Sequence, residues 1–148
     1  MKLQDVCALD VACCTRDTTI TTAAKLMREQ HVGDLIVIEG YSERSPIGIV
    51  TDRDIVVEVL ATGRDPSTTT VGDIMNSNVV VADESEDVSV ALERMKMHGV
   101  RRLPIVGHEE NITGVVSLDD LVKVHAQEAA ALADVITKEQ NREARARR

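Results

Sequence analysis

The chain has 148 residues, an apolar fraction of 43%, a formal net charge of -8 and a pI near 5.0. That length suits one compact domain or two small ones sharing a core, and the acidic balance makes a nucleic-acid partner unlikely. No apolar run approaches the roughly 18 residues of a membrane span, and "MKLQDVCALDV" lacks a signal peptide's basic start and apolar run, so no membrane contact and a cytoplasmic location are expected.

The first segment, Leu3 to Val11, leads into a cluster of cysteines. Cys7, Cys13 and Cys14 are odd in number and crowded together, which is no disulfide framework. Adjacent Cys13 and Cys14 also lack metal-ligand spacing, and no metal site is expected. Ile20, Ala23, Ala24 and Met27 then follow helical spacing, with Thr19 as N-cap. "DLIVI" (Asp34 to Ile38) is a short apolar run that predicts a buried strand. After a polar loop comes "IGIV", also strand-like, and then "TDRDIVVEVLA", a helix. Gly63 and Pro66 break that helix inside "TGRDPSTTT" (Thr62 to Thr70), which marks a junction.

The same order then recurs. Val88, Ala91, Leu92 and Met95 are helically spaced behind Asp87 as N-cap. "RLPIV" and "ITGVV" read as strands and "SLDDLVKVHAQ" as a helix. The remainder is Ala- and Glu-rich without Pro or Gly, predicting a long C-terminal helix. Its basic end (Lys138, Arg142, Arg145, Arg147, Arg148) suits the helix dipole. Setting Asp5 over Asp73 brings Val6 onto Ile74, Ala23 onto Ala91, Met27 onto Met95 and Leu35 onto Leu103. The chain is therefore a duplicated unit of mixed α/β class: a lead-in segment, then helix, strand, strand and helix. The expected divisions are repeat one over 1–61, a linker over 62–70, repeat two over 71–125 and a helical tail over 126–148. Each hairpin would be covered by its helices on one face, and pairing the repeats back to back would bury the other.

The most distinctive repetition is "GIVTDRDI" (Gly48 to Ile55) against "GVVSLDDL" (Gly114 to Leu121). One account is purely structural: Thr51 with Asp54, and Ser117 with Asp120, each fit a capping box. The other adds context. A hydroxyl at a strand-to-helix corner can meet a phosphate oxygen, and a carboxylate one turn on can accept from vicinal ribose hydroxyls. Together these would hold a nucleotide. With one aromatic residue, Tyr41, in the chain, its base would lie among aliphatic side chains.

On these residues the chain resembles a tandem pair of CBS domains, the family named after cystathionine β-synthase. The octets are similar to that family's glycine, two aliphatics, Thr or Ser, two variable positions and Asp. "VRRLPIV" (Val100 to Val106) resembles its strand entry, and "TDRDI" followed by "DP" is similar to stand-alone bacterial members, the hypoxic response protein group among them. The resemblance covers residues 1–125. It implies two clefts about a pseudo-twofold axis, with Asp54 and Asp120 toward ribose and Thr51 and Ser117 toward phosphate. It also implies a base wall around Cys14 to Ile20 and Ala82 to Val88, hence Thr15 and Ala82.

The repeats differ where charge counts. Asp34 stands where Arg102 does, and Ile36 replaces Pro104. Arg101 and Arg102 would screen a multiply charged ligand, with Arg53 in reach as well, so unequal sites are expected. His31 and His98 fall near helix C-termini, where the dipole accounts for them. No P-loop, zinc motif or nucleophile elbow is present, and no enzyme activity is expected. The expectation is a regulatory module sensing AMP, ADP, ATP or an adenosyl ligand such as S-adenosylmethionine, with no required cofactor, a homodimeric state and a separate protein effector. The alternative is a ligand-free dimeric interaction scaffold.

Overall fold

The structure is a computed structural model that describes residues 1–148. Each repeat builds one three-stranded sheet. In the first, β1 (Cys13–Cys14) runs parallel to β2 (Asp34–Ile38), which pairs antiparallel with β3 (Pro46–Thr51). In the second, β4 (Ala82–Asp83), β5 (Arg102–Val106) and β6 (Ile112–Ser117) repeat the order and the senses. The two-residue edge strands were not legible as strands: they are too short to show alternation.

Helix α1 (Ile20–Gln30) precedes β2, and α2 (Asp52–Ile55) follows β3, continuing as a π-helical turn over Val56–Leu60. After the short α3 (Val71–Ile74), the second repeat supplies α4 (Val88–His98) and α5 (Leu118–Ala146). Thr19 and Asp87 do cap α1 and α4, accepting from the backbone N–H groups of Thr22 and Ser89 at 3.2 and 3.0 Å. Residues 127–146 of α5 continue past the second sheet as an exposed helix.

Both central strands are buried on two faces, which is why they read as continuous apolar runs. Leu35 and Val37 face the helices of their own repeat and join Ile20, Ala23, Met27 and Val50. Ile36 and Ile38 face the other way and meet Ile112 of the second repeat, with Val11, Cys13 and Ile49 around them. This cluster of Ile36, Ile38 and Ile112 is the back-to-back contact between the repeats. The Arg44 N–H, donating to Asn111 Oδ1 at 3.0 Å, and the Ile112 N–H, donating to the Arg44 carbonyl at 3.0 Å, close one end of it.

The lead-in segments do not stay with their own repeats. Leu3, fully buried, packs in the second repeat's core with Val88, Ala91, Leu103 and Val116. Ala8 bridges Val115 through a pair of backbone hydrogen bonds of 2.9 and 3.0 Å. Reciprocally, Val71 is buried in the first repeat's core, and Asn76 bridges Ile49 at 2.9 and 3.0 Å. Each lead-in therefore straps onto the opposite sheet.

At the start of α4, the Asp87 carboxylate also accepts from the Met1 ammonium at 3.2 Å. Hydrogen bonds from Ser89, first backbone and then side chain, with help from that ammonium, hold its carboxyl down at about 2. A folded-state value below the unfolded one contributes stability above the ordinary value of roughly 3.9. That contribution is lost as pH falls towards about 2. Acid titration followed by circular dichroism should show the native chain losing stability in this window more steeply than Asp87→Asn, which has no carboxyl to titrate.

Candidate ligand clefts

Both strand-to-helix corners form the expected capping boxes. Thr51 Oγ1 accepts from the Asp54 N–H at 3.1 Å, and Asp54 Oδ2 accepts from the Thr51 N–H at 2.9 Å. Ser117 Oγ accepts from the Asp120 N–H at 3.1 Å, and Asp120 Oδ2 accepts from the Ser117 N–H at 2.9 Å. The two corners then part. The Ser117 hydroxyl also donates to Asp120 Oδ2 at 2.9 Å, whereas the Thr51 hydroxyl makes no such bond to its aspartate. In both, one carboxylate oxygen serves the cap and the other is left for a ligand. Capping and ligand contact are therefore compatible at each corner.

Each corner opens into a cleft whose far wall belongs to the other repeat. Cleft one, of about 460 Å³, holds Thr51, Asp54 and Arg53 on one side. The turn from α4 into β5, Gly99 to Arg102, stands opposite, and Ile49 with the strap residues Asn76, Asn78, Val79 and Val80 lines the rest. Cleft two, of about 290 Å³, holds Ser117 and Asp120. It faces the turn from α1 into β2, His31 to Asp34, and is lined by the other strap, Ala8 to Ala12 without Leu9. Volumes of this order suit a small organic ligand.

Of the residues singled out from sequence, Thr51, Arg53, Asp54, Arg101 and Arg102 come together in cleft one, and Ser117 and Asp120 in cleft two with Arg102. Thr15 and Ala82 line neither. Thr15 donates its N–H to Thr18 Oγ1 at 3.2 Å, and Ala82 is 1% exposed in the second core. The apolar wall is made by the chain entering each edge strand rather than the chain leaving it, because the straps cross directly in front of the corners. Asn76, Asn78 and Asp10 were missed for the same reason, and His31 because the packing of the two repeats is what brings the turn from α1 into β2 opposite the second corner. His31 did carry a signal: it adopts the left-handed conformation (φ 55°) that Gly99 takes at the equivalent helix end (φ 63°). A non-glycine residue there is costly.

The charges are unequal. Cleft one is lined by Arg53, Arg101 and Arg102 against Asp34 and Asp54. Cleft two has Arg102 and His31 against Asp10, Asp34 and Asp120. Arg102 Nε and Asp34 Oδ1 form an ion pair at 3.2 Å, so a guanidinium offsets the aspartate's charge within the cleft. Burial pushes the Asp34 carboxyl up, Arg102 opposes the shift and Asp52 adds to it. Burial likewise pushes the Cys14 thiol up to about 12, which keeps it protonated and unreactive. No group of three or more His, Cys, Asp or Glu side chains is placed to hold a metal ion.

The CBS domain family model matches residues 3–61 and 71–126. Hypoxic response protein 1 of Mycobacterium tuberculosis is 35% identical over 120 residues, 81% of this chain and 82% of that one. The crystal structure of hypoxic response protein I with two coordinated zinc ions superposes with a TM-score of 0.73 at 33% identity, covering 83% of this chain and 98% of that one. The CBS domain pair of protein MJ0100, in complex with 5-methylthioadenosine and S-adenosyl-L-methionine, gives a TM-score of 0.75 at 22% identity, over 86% of this chain and 98% of that one.

Proposed function

The chain belongs to the CBS-domain family, and from that premise we propose that it is a regulatory module whose cleft one receives a phosphorylated adenine nucleotide. The observation that carries this is the convergence of Arg53, Arg101 and Arg102 on the same cleft as Thr51 and Asp54. Guanidinium groups clamp phosphate in a bidentate way. The Thr51 hydroxyl is free to donate, and the outer oxygen of Asp54 can accept from ribose. Ile49, Val79, Val80 and Val100 offer an aliphatic slot for the base. Cleft two, smaller and richer in carboxylates, suits an uncharged or cationic adenosyl ligand better. The adenosyl ligands of MJ0100 support the ligand class by likeness of fold; the choice of cleft rests on this chain's own charges.

Ligand in cleft one would join a corner of repeat one to a turn of repeat two. It would thus favour one relative setting of the repeats over another, and a separate protein effector would read the difference. Thermal denaturation tests the binding. AMP, ADP or ATP at 100 times its dissociation constant should stabilise by about 2.7 kcal/mol. Asp54→Ala should remove most of that shift and Asp120→Ala should leave most of it.

A second reading is a ligand-free dimeric scaffold. Val56, Val57 and Leu60 are 53, 43 and 63% exposed after the first corner, and Val122 is 57% exposed after the second. Such apolar helix faces suit contact with another copy. Sedimentation of a dimer, with no thermal shift from any adenosyl ligand, would favour it.

A further inference from the structure

Arg102 and Asp34 hold equivalent places at the entries of β5 and β2, and each of them lines both clefts. Their 3.2 Å ion pair therefore stands on the partition between the two. The partners are not alike in freedom. The Asp34 side chain is 11% exposed and short, whereas that of Arg102 is 42% exposed and carried on a long flexible stem. The guanidinium is the member that can turn toward a ligand.

We propose that this single shared pair couples the clefts, so that a phosphorylated ligand in one weakens the binding of a phosphorylated ligand in the other. The inference rests on the reading of the clefts as nucleotide sites. A phosphate in cleft one draws the Arg102 guanidinium toward it. Cleft two then loses the one arginine in its lining and keeps Asp10, Asp34 and Asp120. Asp34, no longer paired, presents its charge to whatever enters there. An anion in cleft two draws Arg102 the other way, and cleft one is left with Arg53 and Arg101 and the same unpaired Asp34. The penalty must be equal in both directions, since coupling free energies are reciprocal. A nucleoside without phosphate makes no demand on Arg102, so it escapes the penalty.

Calorimetric titration with AMP and with adenosine tests this. Asp120→Ala isolates cleft one and Asp54→Ala isolates cleft two; Asp120→Asn and Asp54→Asn, which keep the capping acceptor, stand in if either alanine variant fails to fold. For independent clefts, the product of the two stepwise dissociation constants of the native chain equals the product of the single-cleft constants. For AMP we expect the native product to be larger by about tenfold, within the range of coupling between sites. Complete exclusion of the second AMP from the native chain is the extreme of the same result. For adenosine the products should agree. Asp34→Asn, which removes the repelling charge, should reduce the AMP factor. Equal products for AMP, or AMP binding by the same single cleft in every variant, overturn the coupling and leave the nucleotide reading standing. No heat with any ligand in any variant overturns that reading, and the coupling with it.

Discussion

Leu3→Ala should destabilise the folded chain by about 2–5 kcal/mol, the range for emptying a fully buried leucine site. Leu3 is 0% exposed although it is the third residue of the chain, a region that usually frays. It does not fray because it fills the second repeat's core, between Val88, Ala91, Met95 and Leu121. Its backbone is held as well: the Leu3 N–H donates to the Glu86 carbonyl at 2.9 Å. Leu9, 76% exposed in the same strap, provides the control, and Leu9→Ala should change stability by no more than about 0.5 kcal/mol. Urea denaturation midpoints of the two variants decide the matter. If Leu3→Ala behaves like Leu9→Ala, the first strap does not dock on the second repeat.

The second large effect is expected at Gly114. A Cβ built there would lie 2.7 Å from Cys7 Sγ and 2.9 Å from the Ala8 carbonyl oxygen. The thiol could swing aside, but the carbonyl is backbone and is part of the Ala8–Val115 bridge. Gly114→Val must therefore push the strap off the sheet. It combines overpacking with the loss of the two bridge hydrogen bonds, a cost of about 3 kcal/mol or more. The shift should also spoil cleft two, since Ala8 and Val115 both line it. A Cβ built on Gly48 would lie 2.6 Å from Met75 Sδ and 3.1 Å from the Asn76 carbonyl oxygen, so Gly48→Val should do the same to cleft one. Gly40, with nothing within 4 Å of its Cβ direction, should tolerate alanine, and parallel denaturation curves would show the contrast.

These glycines illustrate what kind of information the sequence holds. "GIVTDRDI" and "GVVSLDDL" announced themselves as a repeated unit, and the capping boxes at Thr51 and Ser117 follow from a spacing of three residues that any helix start obeys. The reason for the leading glycine is different. It makes room for a strap from the opposite repeat, and nothing within the octet specifies what crosses it. Thr15 and Ala82, expected to wall the base, fall outside both cleft linings on the same ground: the cleft wall depends on where the straps run, not on the helix each precedes.

From the amino-acid order alone came the duplication, the helices with their caps, the central strands, the paired corners and the inequality of charge at Asp34 and Arg102. All of these are local patterns, set by periods of two or 3.6 residues and by caps a few residues long, or by comparison of one repeat with the other. Only the tertiary structure decided that the straps are exchanged, that each corner faces the other repeat's helix-to-strand turn, and that Asp34 and Arg102 meet on the partition. Those contacts join residues far apart in the chain. They are chosen by which apolar faces bury each other best, and that choice leaves no periodic trace in the sequence.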